Sequence, residues 1–159
     1  MKLDHIAIWT NQLEVLKDFY ERFFDGKAGE LYEDATANIV CCYVYFPEGS
    51  KLELLQAPQL RERHYPKKDR VQGYTHLAFD VGSKEKVDTI TAEIEKAGYE
   101  IEAPARMITK WFYESAIFDP DGNIVEINSD LGVAAFSGRL RNLKLAPSKW
   151  RCLVPPTRR

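Results

Sequence analysis

Asp4-His5-Ile6-Ala7-Ile8, near the start of the chain, returns 71 residues later as Thr75-His76-Leu77-Ala78-Phe79. A motif that recurs with its surroundings marks a duplicated supersecondary unit, and this limits the fold more than any other feature. Each copy is followed by a helical pattern. In the first, Leu13, Leu16, Phe19, Tyr20 and Phe23 recur at helical spacing, Asn11 and Glu14 predict a capping box, and Asp25-Gly26 predicts the stop. In the second, Ser83 predicts the cap, Val87, Ile90, Ile94 and Ala97 the apolar stripe, and Gly98 the end.

The halves also close alike. Phe46-Pro47-Glu48-Gly49 turns into Lys51-Leu52-Glu53-Leu54, and Phe118-Asp119-Pro120-Asp121-Gly122-Asn123 turns into Ile124-Val125-Glu126-Ile127. Pro followed by an acid and Gly presets a tight turn. Further strand-like runs cover 38–46, 99–103 and 112–118. Each half therefore reads βαβββ, and the fold class is α+β. The modules are 1–56 and 73–128, joined by a linker at 57–72 rich in Pro, Arg and Lys, with an extension at 129–159.

Composition agrees with a folded unit. A chain of 159 residues, 45% of them hydrophobic, buries roughly two-thirds of its unfolded surface. No apolar run approaches the ~18 residues of a membrane span, and the opening MKLDHIAIWT is not an export signal. Cys41, Cys42 and Cys152 make an odd count, with two adjacent in one strand, which suits a reducing cytoplasm. Residues 129–159 carry +6 and residues 1–128 carry −8. An acidic body argues against nucleic acid as partner; the basic extension is read as solvated or folded on that body.

Strand alternation isolates the chemistry. Ile6 and Ile8 oppose His5 and Ala7; Leu77 and Phe79 oppose His76 and Ala78; Leu52 and Leu54 oppose Glu53; Val125 and Ile127 oppose Glu126. The four polar residues thus fall on the faces turned from the helices. Glu53 follows His5 by 48 residues, and Glu126 follows His76 by 50. A lone His or Glu there is ordinarily a solvated polar residue. Four at equivalent places make the pattern of a metal or catalytic site, and two imidazoles with two carboxylates suit a divalent ion.

On these residues the chain resembles the vicinal-oxygen-chelate (glyoxalase/bleomycin resistance/dioxygenase) superfamily, and among its members bacterial glyoxalase I most. The matches are Leu3-Asp4-His5-Ile6-Ala7, Asp18-Phe19-Tyr20, Tyr74-Thr75-His76-Leu77-Ala78, and Asp119-Pro120-Asp121-Gly122-Asn123 leading into Glu126. The resemblance implies paired βαβββ modules forming a U-shaped metal-binding cup in a cytoplasmic homodimer. It places the ligands at His5, Glu53, His76 and Glu126, with Ni, Zn, Co or Mn as cofactor. It implies a lactoylglutathione lyase-like enzyme acting on a small oxygenated substrate, thiol adducts included. Glu126 would be the base, moving a proton through an enediolate that the metal stabilises, while Glu53 stays mainly a ligand. The alternatives are an extradiol-type dioxygenase or epimerase on the same fold, or a non-catalytic small-molecule-binding protein.

Other residues remain candidates. Arg22, Arg61, Arg63, Arg70 and Arg106 could each pair with a substrate carboxylate. Trp111-Phe112-Tyr113 could line the cup, Asp80 shares a face with His76, and His64 lies in the polar linker.

Overall fold

The computed structural model describes residues 2–61 and 72–131. Arg63, His64, Arg70, Cys152 and the extension from residue 132 lie outside the described residues. The first half runs β1 (Ile6–Trp9), α1 (Leu13–Phe24), β2 (Lys27–Ala28), β3 (Tyr32–Asp34), β4 (Ile39–Tyr45) and β5 (Lys51–Gln56). The second runs β6 (His76–Asp80), α2 (Lys84–Lys96), β7 (Ile101–Thr109), β8 (Phe112–Phe118) and β9 (Ile124–Asp130). Two mixed sheets result, ordered β1-β5-β4-β2, with β3 also on β4, and β6-β9-β8-β7. In each, the strand carrying the histidine runs parallel to the strand carrying the glutamate: Ala7 pairs with Glu53, and Ala78 with Glu126. The fold is α+β, as the repeat predicts.

The halves differ in one respect. β7 is a single strand with register shifts, whereas its counterpart in the first half is split into β2 and β3, both antiparallel to β4. Gly26 sits where a Cβ would come within 2.7 Å of Val44 and 2.9 Å of the Tyr20 carbonyl, so this approach to the sheet admits only glycine.

Alternation sorts the apolar residues as expected. Leu52, Leu54, Val125 and Ile127 are buried, with Ile6, Ile8, Leu77 and Phe79 packed against them. One core serves both halves. Phe79 of β6 lies 4.4 Å ring to ring from Phe24 of α1 and 5.0 Å from Phe46, while Tyr99 lies 4.9 Å from Phe19. Aromatic contacts at these separations add attraction beyond the area they bury.

Two details of the helices depart from the expectation. The N-cap of α1 is Gln12, not Asn11, because the Gln12 backbone N–H donates to Thr10 Oγ1 and its side chain is tied elsewhere. Asp25-Gly26 does end α1, with Asp25 in the left-handed conformation at φ 54°. Ala97 is exposed, and Thr91 takes the buried place, its hydroxyl bonded to Ser115 Oγ at 2.6 Å. Ser83 does cap α2, accepting from the Lys86 N–H, and Gly98 follows its end at φ 93°.

A second long-range polar knot joins the halves. Asp119 is buried and accepts from the Tyr20 hydroxyl at 3.0 Å, the Asn123 N–H at 2.8 Å and the Asn123 side chain at 2.9 Å. Gln12 Nε2 donates to the Pro120 carbonyl at 2.9 Å and to Asp121 Oδ1 at 2.7 Å. Burial pushes the Asp119 carboxyl above its ordinary pKa, partly offset by these donors.

Candidate metal centre

On the first sheet, His5 Nε2 lies 3.2 Å from Glu53 Oε2. Its other ring nitrogen meets Asp4 Oδ2 at 2.8 Å, and that carboxylate is held in turn by Lys51 at 2.9 Å. Hydrogen bonds from His5 and then Lys51 hold the Asp4 carboxyl below its usual range. On the second sheet, His76 Nε2 lies 3.3 Å from Glu126 Oε2, and its Nδ1 meets the Thr75 hydroxyl at 3.2 Å. In both histidines Nδ1 is engaged from behind, which leaves Nε2 to face the carboxylate, the arrangement that orients a metal-binding imidazole.

The donor chemistry fits a divalent ion. Two ligands held at 2.0–2.2 Å from one metal stand about 2.8–3.6 Å apart, for angles between square and tetrahedral. The 3.2 Å and 3.3 Å separations lie in that range. Within one chain the structure brings together each pair but not the set: among the described residues no three His, Cys, Asp or Glu side chains form a metal-ligating group. His5 and His76 nevertheless line the same cavity, of about 390 Å³, between β1 and β6.

Three side chains at these pairs escape a reading of the sequence. Tyr32 donates its hydroxyl to Glu53 Oε1 at 2.9 Å. Tyr43 stands directly across β4 and β5 from Glu53 and stacks on Tyr32, ring centroids 6.2 Å apart. Hydrogen bonding to Cys41 and then Glu53 pushes the Tyr32 phenol up, and bonding to Glu53 does the same to Tyr43. On the second sheet Glu114 projects to the same side as Glu126, with Arg106 at 4.0 Å. Burial and then the Glu126 charge raise its pKa.

The remaining candidates separate. Trp111 is an exposed turn residue, and Tyr113 faces α2, its hydroxyl donating to Asp88 at 2.7 Å. Phe112 shares the side of Glu114. Asp80 does share the face of His76, but its Oδ1 accepts from the Gly82 N–H in the turn. Arg22 stacks over Phe23 at the end of α1. Cys41 and Cys42 are free, buried thiols.

Structural neighbours share this architecture. The glyoxylase/bleomycin resistance protein/dioxygenase domain from Frankia sp. EAN1pec is 18% identical with a TM-score of 0.69, covering 82% of this chain and 98% of its own. The fosfomycin resistance protein FosX from Listeria monocytogenes, in complex with Mn(II) and sulfate ion, is 22% identical with a TM-score of 0.58, over 80% and 91%. The trypanothione-dependent glyoxalase I of Leishmania major is 17% identical with a TM-score of 0.67, over 89% and 94%. No curated protein sequence matches. The family description that matches, across residues 2–127, is Glyoxalase/Bleomycin resistance protein/Dioxygenase superfamily. By that match over most of its length, and by the sheet pair that carries it, this chain belongs to the glyoxalase/bleomycin resistance/dioxygenase superfamily.

Proposed function

We propose that the chain is a metal-dependent lyase or isomerase of the glyoxalase I type. It would move a proton beside a carbonyl on a small substrate that offers two adjacent oxygens. The observation that carries this reading is the repeat-related pairing of His5 with Glu53 and of His76 with Glu126, at 3.2 Å and 3.3 Å. These four residues, which one chain holds as two separate pairs, would together hold one divalent ion, Ni, Zn, Co or Mn, in the homodimer. When bound, the ion supplies Lewis-acid stabilisation of negative charge on substrate oxygen.

The chain's own groups would do the rest. Glu126 takes the proton from one carbon and returns it to the next, a task for a carboxylate within reach of both. Ala116, across the ladder from Glu126, sets only a methyl group beside that carboxylate. The Asp4 carboxylate, an acceptor at His5 Nδ1, holds that imidazole with Nε2 facing Glu53, and the Thr75 hydroxyl orients the His76 ring at its Nδ1. Arg106, half-exposed beside Glu114, is placed to meet an anionic end of the substrate.

In this reading the working form is a homodimer, supported by the exposed apolar surface of Trp9, Tyr45, Ile108 and Trp111. A cytoplasmic setting is supported by the two free thiols. The test is metal content of dialysed protein together with turnover of hemithioacetals. About one Ni, Co, Zn or Mn per chain and measurable turnover are expected. Bound iron would favour the extradiol-type dioxygenase, and failure to hold any metal after reloading would favour a binding protein.

A further inference from the structure

Glu53 and Glu126 are equivalent by repeat but not by surroundings. Glu53 is held at both oxygens, Oε2 by His5 at 3.2 Å and Oε1 by the Tyr32 hydroxyl at 2.9 Å. Tyr32 comes from β3, the second piece of the first half's interrupted strand, paired antiparallel with β4. Its ring is fixed by stacking on Tyr43, at 6.2 Å and 18°. The second half keeps β7 as one strand, and the residue across from Glu126 is Ala116. Among the described residues no tyrosine hydroxyl reaches Glu126, whose close partner is His76. A hydrogen bond on one carboxylate oxygen directs ligation to the other.

We propose that Tyr32 is a positioning residue for the metal ligand Glu53. Its hydroxyl occupies Oε1, confines ligation to Oε2, and leaves proton transfer to the unclamped Glu126. The proposal rests on the metal-dependent reading above. It also gives β3 a role, since β3 delivers to Glu53 a hydroxyl that, among the described residues, has no counterpart at Glu126.

The test is Co(II) affinity, measured by calorimetry on the full chain stripped of metal. Tyr32→Phe keeps the ring and its stacking, so the metal-free melting temperature should not move. The Kd for Co(II) should rise about tenfold, the low end for loss of an outer hydrogen-bond partner. Glu53→Gln should weaken binding further, and adding Tyr32→Phe to it should cause no additional loss, because the hydroxyl acts through that carboxylate. A Tyr32→Phe Kd within about twofold of wild type, or full additivity in the double variant, overturns the proposal. Wild-type Co(II) binding by Glu53→Gln would instead remove Glu53 from the ligand set and overturn the metal-centre reading itself.

Discussion

Tyr43 and Ala116 hold the same place in the two sheets, each directly across the ladder from its sheet's glutamate, yet one fills that place with a ring and the other with a methyl group. A larger side chain at residue 116 would therefore crowd the Glu126 carboxylate. Ala116→Tyr should lower turnover about a hundredfold by displacing substrate, the scale expected of an ångström of misplacement. Metal content should stay at the wild-type level, so the pair of measurements separates substrate space from ligand geometry.

Glu126→Gln tests the base directly. The amide keeps an oxygen donor but cannot accept the proton, so turnover should fall by about 10²–10⁴. Metal should still bind, with lower affinity. Unchanged turnover of the hemithioacetal would take Glu126 out of that role.

Phe79 is the joint between the halves, in contact with Phe24 and Phe46 of the first half from a strand of the second. Phe79→Ala should destabilise the protein by about 3 kcal/mol, through lost apolar contact and an unfilled cavity. Because one core spans both modules, denaturant unfolding should remain a single transition in both proteins.

Asp119 predicts a pH dependence. Its folded-state pKa is raised above the ordinary value of 3.8, chiefly by burial. Over the window between the unfolded and folded pKa values the native state therefore binds more protons than the unfolded chain, and stability falls as pH rises. The difference in unfolding free energy between wild type and Asp119→Asn isolates this group. Wild type should gain relative to the variant as pH falls through the raised pKa, with the gain complete below 3.8.

The two-residue period of strands made the His and Glu positions legible, since Ile6 and Ile8 or Val125 and Ile127 declare which side meets the core. The helix ends were legible only where their partners are local. Ser83 caps through Lys86, three residues away, but Gln12 displaces Asn11 because its side chain bonds a turn 109 residues further on. Thr91 looks too polar for the buried stripe until Ser115 is brought beside it. Tyr32, Tyr43 and Glu114 were illegible for a related reason. Their nearness to the glutamates follows from antiparallel register and from the extra strand β3, and neither can be read from the residues' spacing along the chain.

The Tyr20–Asp119 bond and the Gln12 strap have a consequence for any attempt to separate the halves. The phenol sits in one half and its buried acceptor in the other, in the turn that launches the strand bearing Glu126. Cut the chain between the halves, and Asp119 loses its Tyr20 donor while the turn before β9 loses its Gln12 strap. Neither half alone carries the full set of bonds that fixes the start of β9.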